Sequence, residues 1–103
     1  MSVAQLDPGL DRPLPQSTDA ERAVLGSVLI NNNAFYRVIG TIDTPDFFKD
    51  AHRTIFVAMR QLAEQSREID LLTLKDELGK RGQLDHVGGS AYISSLVDRK
   101  SVV

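Results

Sequence analysis

The chain has 103 residues, 42% of them hydrophobic and 25% charged, with a formal net charge of -2 and no cysteine. That length fits one domain with a modest core, the slight acidity offers no basic field to draw phosphate backbones, and the lack of thiols excludes disulfide staples and thiolate metal sites. The first residues hold Asp7 and Asp11 and no apolar leader, and no stretch approaches the roughly 20 apolar residues that cross a bilayer, so a soluble cytoplasmic protein with protein partners is expected.

Pro8, Pro13 and Pro15 fall close together. Proline fixes φ and removes amide donors, so residues 1–16 are expected to form a flexible arm. Thr18-Asp19-Ala20-Glu21 has capping-box spacing, with Thr18 as the cap and Glu21 reaching back to its amide. The first helix follows, with Ala20, Ala23, Val24, Leu25, Val28 and Leu29 at helical spacing as its buried stripe and Gly26 open to close approach by a neighbour. Asn31-Asn32-Asn33 stops it. A short helix over 34–39 is expected to turn Phe35, Val38 and Ile39 inward before Gly40.

Thr44-Pro45-Asp46 reads as another helix start, with a hydroxyl cap, proline at the first position and an acid at the positive end. From about 50 to 65, the spacing of Ala51, Ile55, Ala58 or Met59, and Leu62, with Phe56 alongside, predicts the longest helix and the centre of the core. Asp70 is expected to cap a fourth helix over 71–81, with Leu71, Leu74 and Leu78 as its seam and Lys80 and Arg81 at its negative end. Leu84 packs back. Gly88-Gly89-Ser90 opens a fifth helix with Ser90 as cap and Tyr92, Ile93, Leu96 and Val97 on one side. No alternating β-branched run argues a sheet, so the expected fold is all-α, a compact orthogonal bundle of about five helices.

Few residues invite chemistry. Gly79-Lys80-Arg81 fails as a phosphate loop, because Leu74 stands where the first Gly belongs, Arg81 where Ser or Thr belongs, and the segment is helical. The Gly88-Gly89 amides have no nearby base to help hold an anion. His52 and His86 lie in no ligand cluster; His52 reads as a surface or half-buried residue bonded locally, and His86 as solvated. The acids Asp43, Asp46, Asp50, Glu64, Glu68, Asp70, Asp76 and Glu77 read as caps, first-turn residues or exposed faces. A DNA-reading helix over 71–81 would offer Lys75, Lys80 and Arg81, but Asp76 and Glu77 blunt that field. No catalytic, cofactor-binding or metal-ligating residue is therefore nominated, and the partner-binding residues are left unassigned.

An ordered series runs through the chain: Ala20-Glu21-Arg22-Ala23-Val24-Leu25-Gly26, Asp46-Phe47-Phe48, His52-Arg53-Thr54-Ile55-Phe56, Ile69-Asp70-Leu71-Leu72-Thr73-Leu74, Leu78, Gly82, Leu84 and Gly88-Gly89-Ser90-Ala91-Tyr92. This series, over about 15–96, resembles the N-terminal domain of the DnaB-like replicative DNA helicases of bacteria. The resemblance implies a non-catalytic assembly module. In that family such domains form a collar on a hexameric ring, commonly as a trimer of dimers, and communicate with primase and the helicase loader. ATP- and Mg-dependent 5'-3' unwinding and the main DNA channel belong to a separate RecA-like domain.

No counterpart of that motor, or of the helical hairpin that follows the head in the family, is legible in these residues. The expected organisation is an arm over 1–16, a helical domain over 17–98 and a tail over 99–103 that marks a truncation, with the chain alone a monomer or weak dimer. Two other readings stay open: a small helical DNA-binding protein with salt-sensitive affinity, and a free-standing regulator that mimics the helicase head.

Overall fold

The computed structural model describes residues 18–98, so the expected arm over 1–16 and tail over 99–103 lie outside the described residues. Five α-helices and one 3-10 turn follow in order: α1 Thr18–Ile30, α2 Asn33–Val38, the turn Thr44–Asp46, α3 Asp50–Glu64, α4 Leu71–Lys80 and α5 Gly89–Ser95. No strand occurs among the described residues. The expected all-helical bundle is what forms.

Helix α3 is the axis. It buries His52, Ile55, Phe56, Ala58, Met59 and Leu62 and packs against α1, α4 and the 3-10 turn, while α2 rests on α1 and α5 closes against α4. Phe56 lies between two other rings, with centroid distances of 5.1 Å to Phe47 and 5.8 Å to Phe35. These tilted aromatic pairs, with 41° between ring planes, bury large apolar area at one point, and Leu25, Val28, Leu74, Leu78 and Ile93 complete the core around it.

Helix α4 starts where the sequence says it should. Asp70 accepts from the Thr73 amide at 2.8 Å, and the Asp70 amide donates to Thr73 Oγ1 at 2.9 Å, so both ends of the cap are satisfied. The helix ends at Lys80, and Gly82 at φ +69 turns the chain so that the Gln83 amide reaches the Leu78 carbonyl at 2.8 Å.

Several sequence expectations are corrected. Helix α1 already includes Thr18, and Glu21 does not reach back to cap it; the carboxylate crosses to the start of α3 instead. The buried stripe of α1 is Leu25, Gly26, Val28 and Leu29, while Ala20 and Ala23 face out. Ile39, expected inward, is 44% exposed, although its backbone stays helical and its amide still reaches the Phe35 carbonyl: its face of α2 lies open to solvent. Asp43, not Thr44, caps the 3-10 turn; a carboxylate one residue earlier reaches the Thr44 amide, and Thr44 Oγ1 is buried without a partner. Gly88, not Ser90, caps α5, in a left-handed conformation with φ +109 that disfavours a side chain. Glu77 is buried under Arg81, which donates to it at 2.8 Å, rather than lying on an exposed face.

Candidate functional site

Two places gather polar side chains or open space. The first is a buried relay that joins three helices. Glu21 of α1 takes the Phe48 amide at 2.6 Å and the Lys49 amide at 3.4 Å, capping the entry to α3 from outside its own helix. Its Oε1 also lies 2.7 Å from Nδ1 of His52. On the other edge of the imidazole, Nε2 is 2.5 Å from the Tyr92 hydroxyl of α5.

Electrostatics settle the protons. Burial works against ionisation of Glu21, but the Phe48 amide, His52 and the Lys49 amide together hold its carboxyl below the ordinary value. Burial, joined by the nearby Lys49 and Arg22 charges, holds the His52 imidazolium below its ordinary value despite the Glu21 carboxylate, so the ring is neutral at neutral pH. Burial likewise raises the Tyr92 phenol. His52 Nδ1–H therefore donates to Glu21, and Tyr92 O–H donates to Nε2. The His52 and Tyr92 rings also stack at 5.9 Å, and the Arg22 guanidinium lies 5.3 Å from the Tyr92 centroid.

A carboxylate, an imidazole and a phenol in series could orient a general base. Here the imidazole has no exposed surface and both nitrogens are taken by protein groups. No atom of the ring is left to meet a substrate. The relay is cohesive, and the expectation of a locally bonded, half-buried His52 is corrected: its partners lie 31 and 40 residues away.

The second place is an open cleft of about 540 Å³ between α2, the 3-10 turn and α3. Phe35, Tyr36, Ile39 and Ile42 come from α2 and the loop after it, Asp43 and Asp46 from the turn and its cap, and Arg60, Ala63 and Glu64 from α3. The rim is fixed. Arg60 pairs with Asp43 and lies 5.3 Å from the Phe56 ring centroid, while the Asp43 amide donates to Asp46 at 2.9 Å. The Thr44 amide and then Arg60 hold the Asp43 carboxyl below its ordinary value.

The other sequence candidates fall apart in space or find structural employment. Lys80 pairs with Asp76 and Glu77 at the end of α4. Gly88 and Gly89 both have positive φ and serve the turn into α5. His86 is half exposed as expected but lies 2.7 Å from Asp50. Lys75 donates to Ser94 at 2.8 Å, tying α4 to α5. Among the described residues no group of three or more His, Asp or Glu side chains could hold a metal ion, and no helix is long and apolar enough to cross a membrane. Sequence reasoning missed the relay and the cleft, since both are assembled from residues far apart in the chain.

Comparison with known proteins places this fold. The family model described as DnaB-like helicase N terminal domain matches residues 13–102. Over 88 residues, 85% of this chain, the sequence is 39% identical to the replicative DNA helicase DnaB of Geobacillus stearothermophilus. Over 82 residues, 80% of the chain, it is 40% identical to that of Haemophilus influenzae. The matched segments span only 19% and 18% of those two proteins. The crystal structure of the N-terminal domain of DnaB helicase from Mycobacterium tuberculosis superimposes with a TM-score of 0.78 at 32% identity, covering 81% of this chain and 60% of that one. The match over residues 13–102 and the shared helical fold agree: the chain belongs to the DnaB-like helicase N-terminal domain family.

Proposed function

We propose that this domain is the non-catalytic assembly and protein-docking head of a replicative DNA helicase. It contributes to the collar of the hexamer and to communication with primase and the helicase loader, while the parent protein unwinds DNA 5'-3' with ATP. The observation that carries this reading is the match of residues 13–102 to the helicase N-terminal domain. The geometry is consistent with it. The buried acid-base relay, Glu21-His52-Tyr92, is closed on itself, whereas Tyr36, Ile39, Phe48 and Leu72 stand out from the helical frame as apolar side chains available to neighbours. A frame of this kind acts by presenting surface, with binding free energy drawn from a few buried apolar anchors.

The test is a calorimetric titration of the purified 103-residue chain with primase and with the loader from the same organism, alongside a nucleotide hydrolysis assay. Saturable binding to at least one protein and no hydrolysis are expected. Hydrolysis, or failure to bind either protein, overturns the reading.

A further inference from the structure

We propose that the cleft between α2 and α3 receives an amphipathic helix of a partner protein, one that presents an apolar ridge bordered by Lys or Arg. The proposal rests on the docking role above and specifies the chemistry of the docked segment. Three observations carry it. The mouth of the cleft exposes large apolar side chains beside its acids: Tyr36 is 61% and Ile39 44% exposed, although Phe35 beside them is buried. Side chains of that size left in water at the mouth of a concave site are the anchor pockets that helix-in-groove recognition uses.

The second observation is charge. Asp43, Asp46 and Glu64 line the cleft against one base, Arg60, and that base is already paired with Asp43. The Glu64 side chain has no ion-pair or hydrogen-bond partner among the described residues. The site therefore carries a negative excess that attracts a basic border and repels phosphate. The third is preorganisation. Asp46 holds the Asp43 amide, Asp43 holds Arg60, and Arg60 covers Phe56, so the walls stand ready and little ordering is lost on binding. A second copy of this chain does not offer the matching surface on α4, whose exposed Leu72 has Asp76 as well as Lys75 one turn on.

A fluorescein-labelled synthetic helix with Leu at every third and fourth position and Lys beside the ridge is the probe, and the same helix with Glu for Lys is its control. Anisotropy titrations should show the Lys helix binding at least about tenfold tighter, an advantage that shrinks as salt rises. Amide shifts should map to residues 36–42 and to Ala63 and Glu64. In the protein, Ile39→Asp should weaken the Lys helix about tenfold or more, Tyr36→Ala should weaken it in the same direction, and Glu64→Lys should move the preference toward the Glu helix. All three residues are exposed, and an unchanged circular dichroism melt verifies folding. Equal binding of both helices, shifts mapped elsewhere, or self-association abolished by Ile39→Asp overturns the proposal.

The docking role is separable. Primase or loader binding that survives Ile39→Asp unchanged leaves that role standing and removes the cleft from it. A Lys helix that seats in the cleft of a chain that binds neither protein does the reverse.

Discussion

Glu21, in the first turn of α1, holds His52 of α3 through a 2.7 Å contact to Nδ1 and at the same time accepts the Phe48 amide that precedes that helix. One carboxylate thus fixes both the start of α3 and the orientation of its buried ring. Replacing it with alanine strands the imidazole N–H, a buried donor, and removes the cap from the exposed Phe48 amide. Glu21→Ala should destabilise the chain by about 2–4 kcal/mol in urea unfolding, within the range for losing charge-assisted bonds and leaving donors unpaired. Tyr92→Phe, which removes only the donor to Nε2, should cost about 1–2 kcal/mol. A loss below half a kcal/mol for Glu21→Ala would show that the relay contributes nothing to cohesion.

The same relay sets an acid limit. The folded-state pKa of His52 lies below its ordinary 6.5, so below that pH the unfolded chain binds the additional proton more readily than the folded one. Stability is full above pH 6.5 and declines as pH falls through the lower folded value. Glu21, also lowered from an ordinary 4.5, adds a second decline below that pH. The groups that face the ring are Glu21 and Arg22 from α1, Lys49 before α3 and Tyr92 from α5. Urea midpoints measured from pH 8 to pH 4 should fall with acid from about pH 6.5, and His52→Gln should remove the first decline while retaining the second.

Gly26 is a packing contact. A Cβ there would overlap the Leu96 carbonyl oxygen at the end of α5. Helix propensity alone favours alanine over glycine by about 1 kcal/mol, whereas forced displacement of a packed backbone costs about 1–3 kcal/mol. With the Leu96 carbonyl oxygen well inside contact distance of that Cβ, the packing cost outweighs the propensity gain, so Gly26→Ala should lower stability by a net of up to about 2 kcal/mol, and an increase in the urea midpoint would show that α5 yields freely.

The legible parts of this chain are those decided locally. Helix α4 was readable because Asp70 and Thr73 satisfy each other within one turn, and α3 because its apolar spacing alone marks the buried face. Glu21 misled because its spacing from Thr18 also fits a local cap, and only the folded chain shows that Phe48 and His52 outcompete that role. Phe47 and Phe48 are identical in composition terms, yet the first is buried and the second 55% exposed. The backbone turn between the 3-10 segment and α3 decides that, and no period spans it. The cleft is illegible for a related reason: helical spacing sets Ile39 with Phe35, yet Phe35 is buried and Ile39 44% exposed, and which neighbour covers each is settled only by the fold.

Leu72 and Leu78 test that distinction on one helix. Leu72 is 77% exposed and Leu78 fully buried. Leu72→Ala should change stability by less than about 0.5 kcal/mol, while Leu78→Ala should cost about 2–5 kcal/mol through lost transfer and the residual cavity. Equal effects in urea unfolding would contradict the packing of α4 against α3.

Asn32 holds the connection into α4 to the end of α1. Its amide nitrogen donates to the Ile69 carbonyl at 2.5 Å and to the Val28 carbonyl at 3.2 Å, and its carbonyl oxygen accepts the Ile69 amide at 2.6 Å. Only a side chain with a donor and an acceptor on one planar group can make that two-point clamp. Asn32→Ala leaves the Ile69 amide and carbonyl unpaired beside a buried side chain and should cost about 1–3 kcal/mol. Asn32→Asp keeps the shape and the acceptor but aims an oxygen at two carbonyls, so above the carboxyl's pKa it should be at least as damaging as alanine. Acid should narrow that gap, because a protonated carboxyl regains one donor. Urea unfolding of both variants at pH 7 and pH 4, each referred to the parent at the same pH, reads this out, and an aspartate as stable as asparagine at pH 7 would mean that the clamp is not formed.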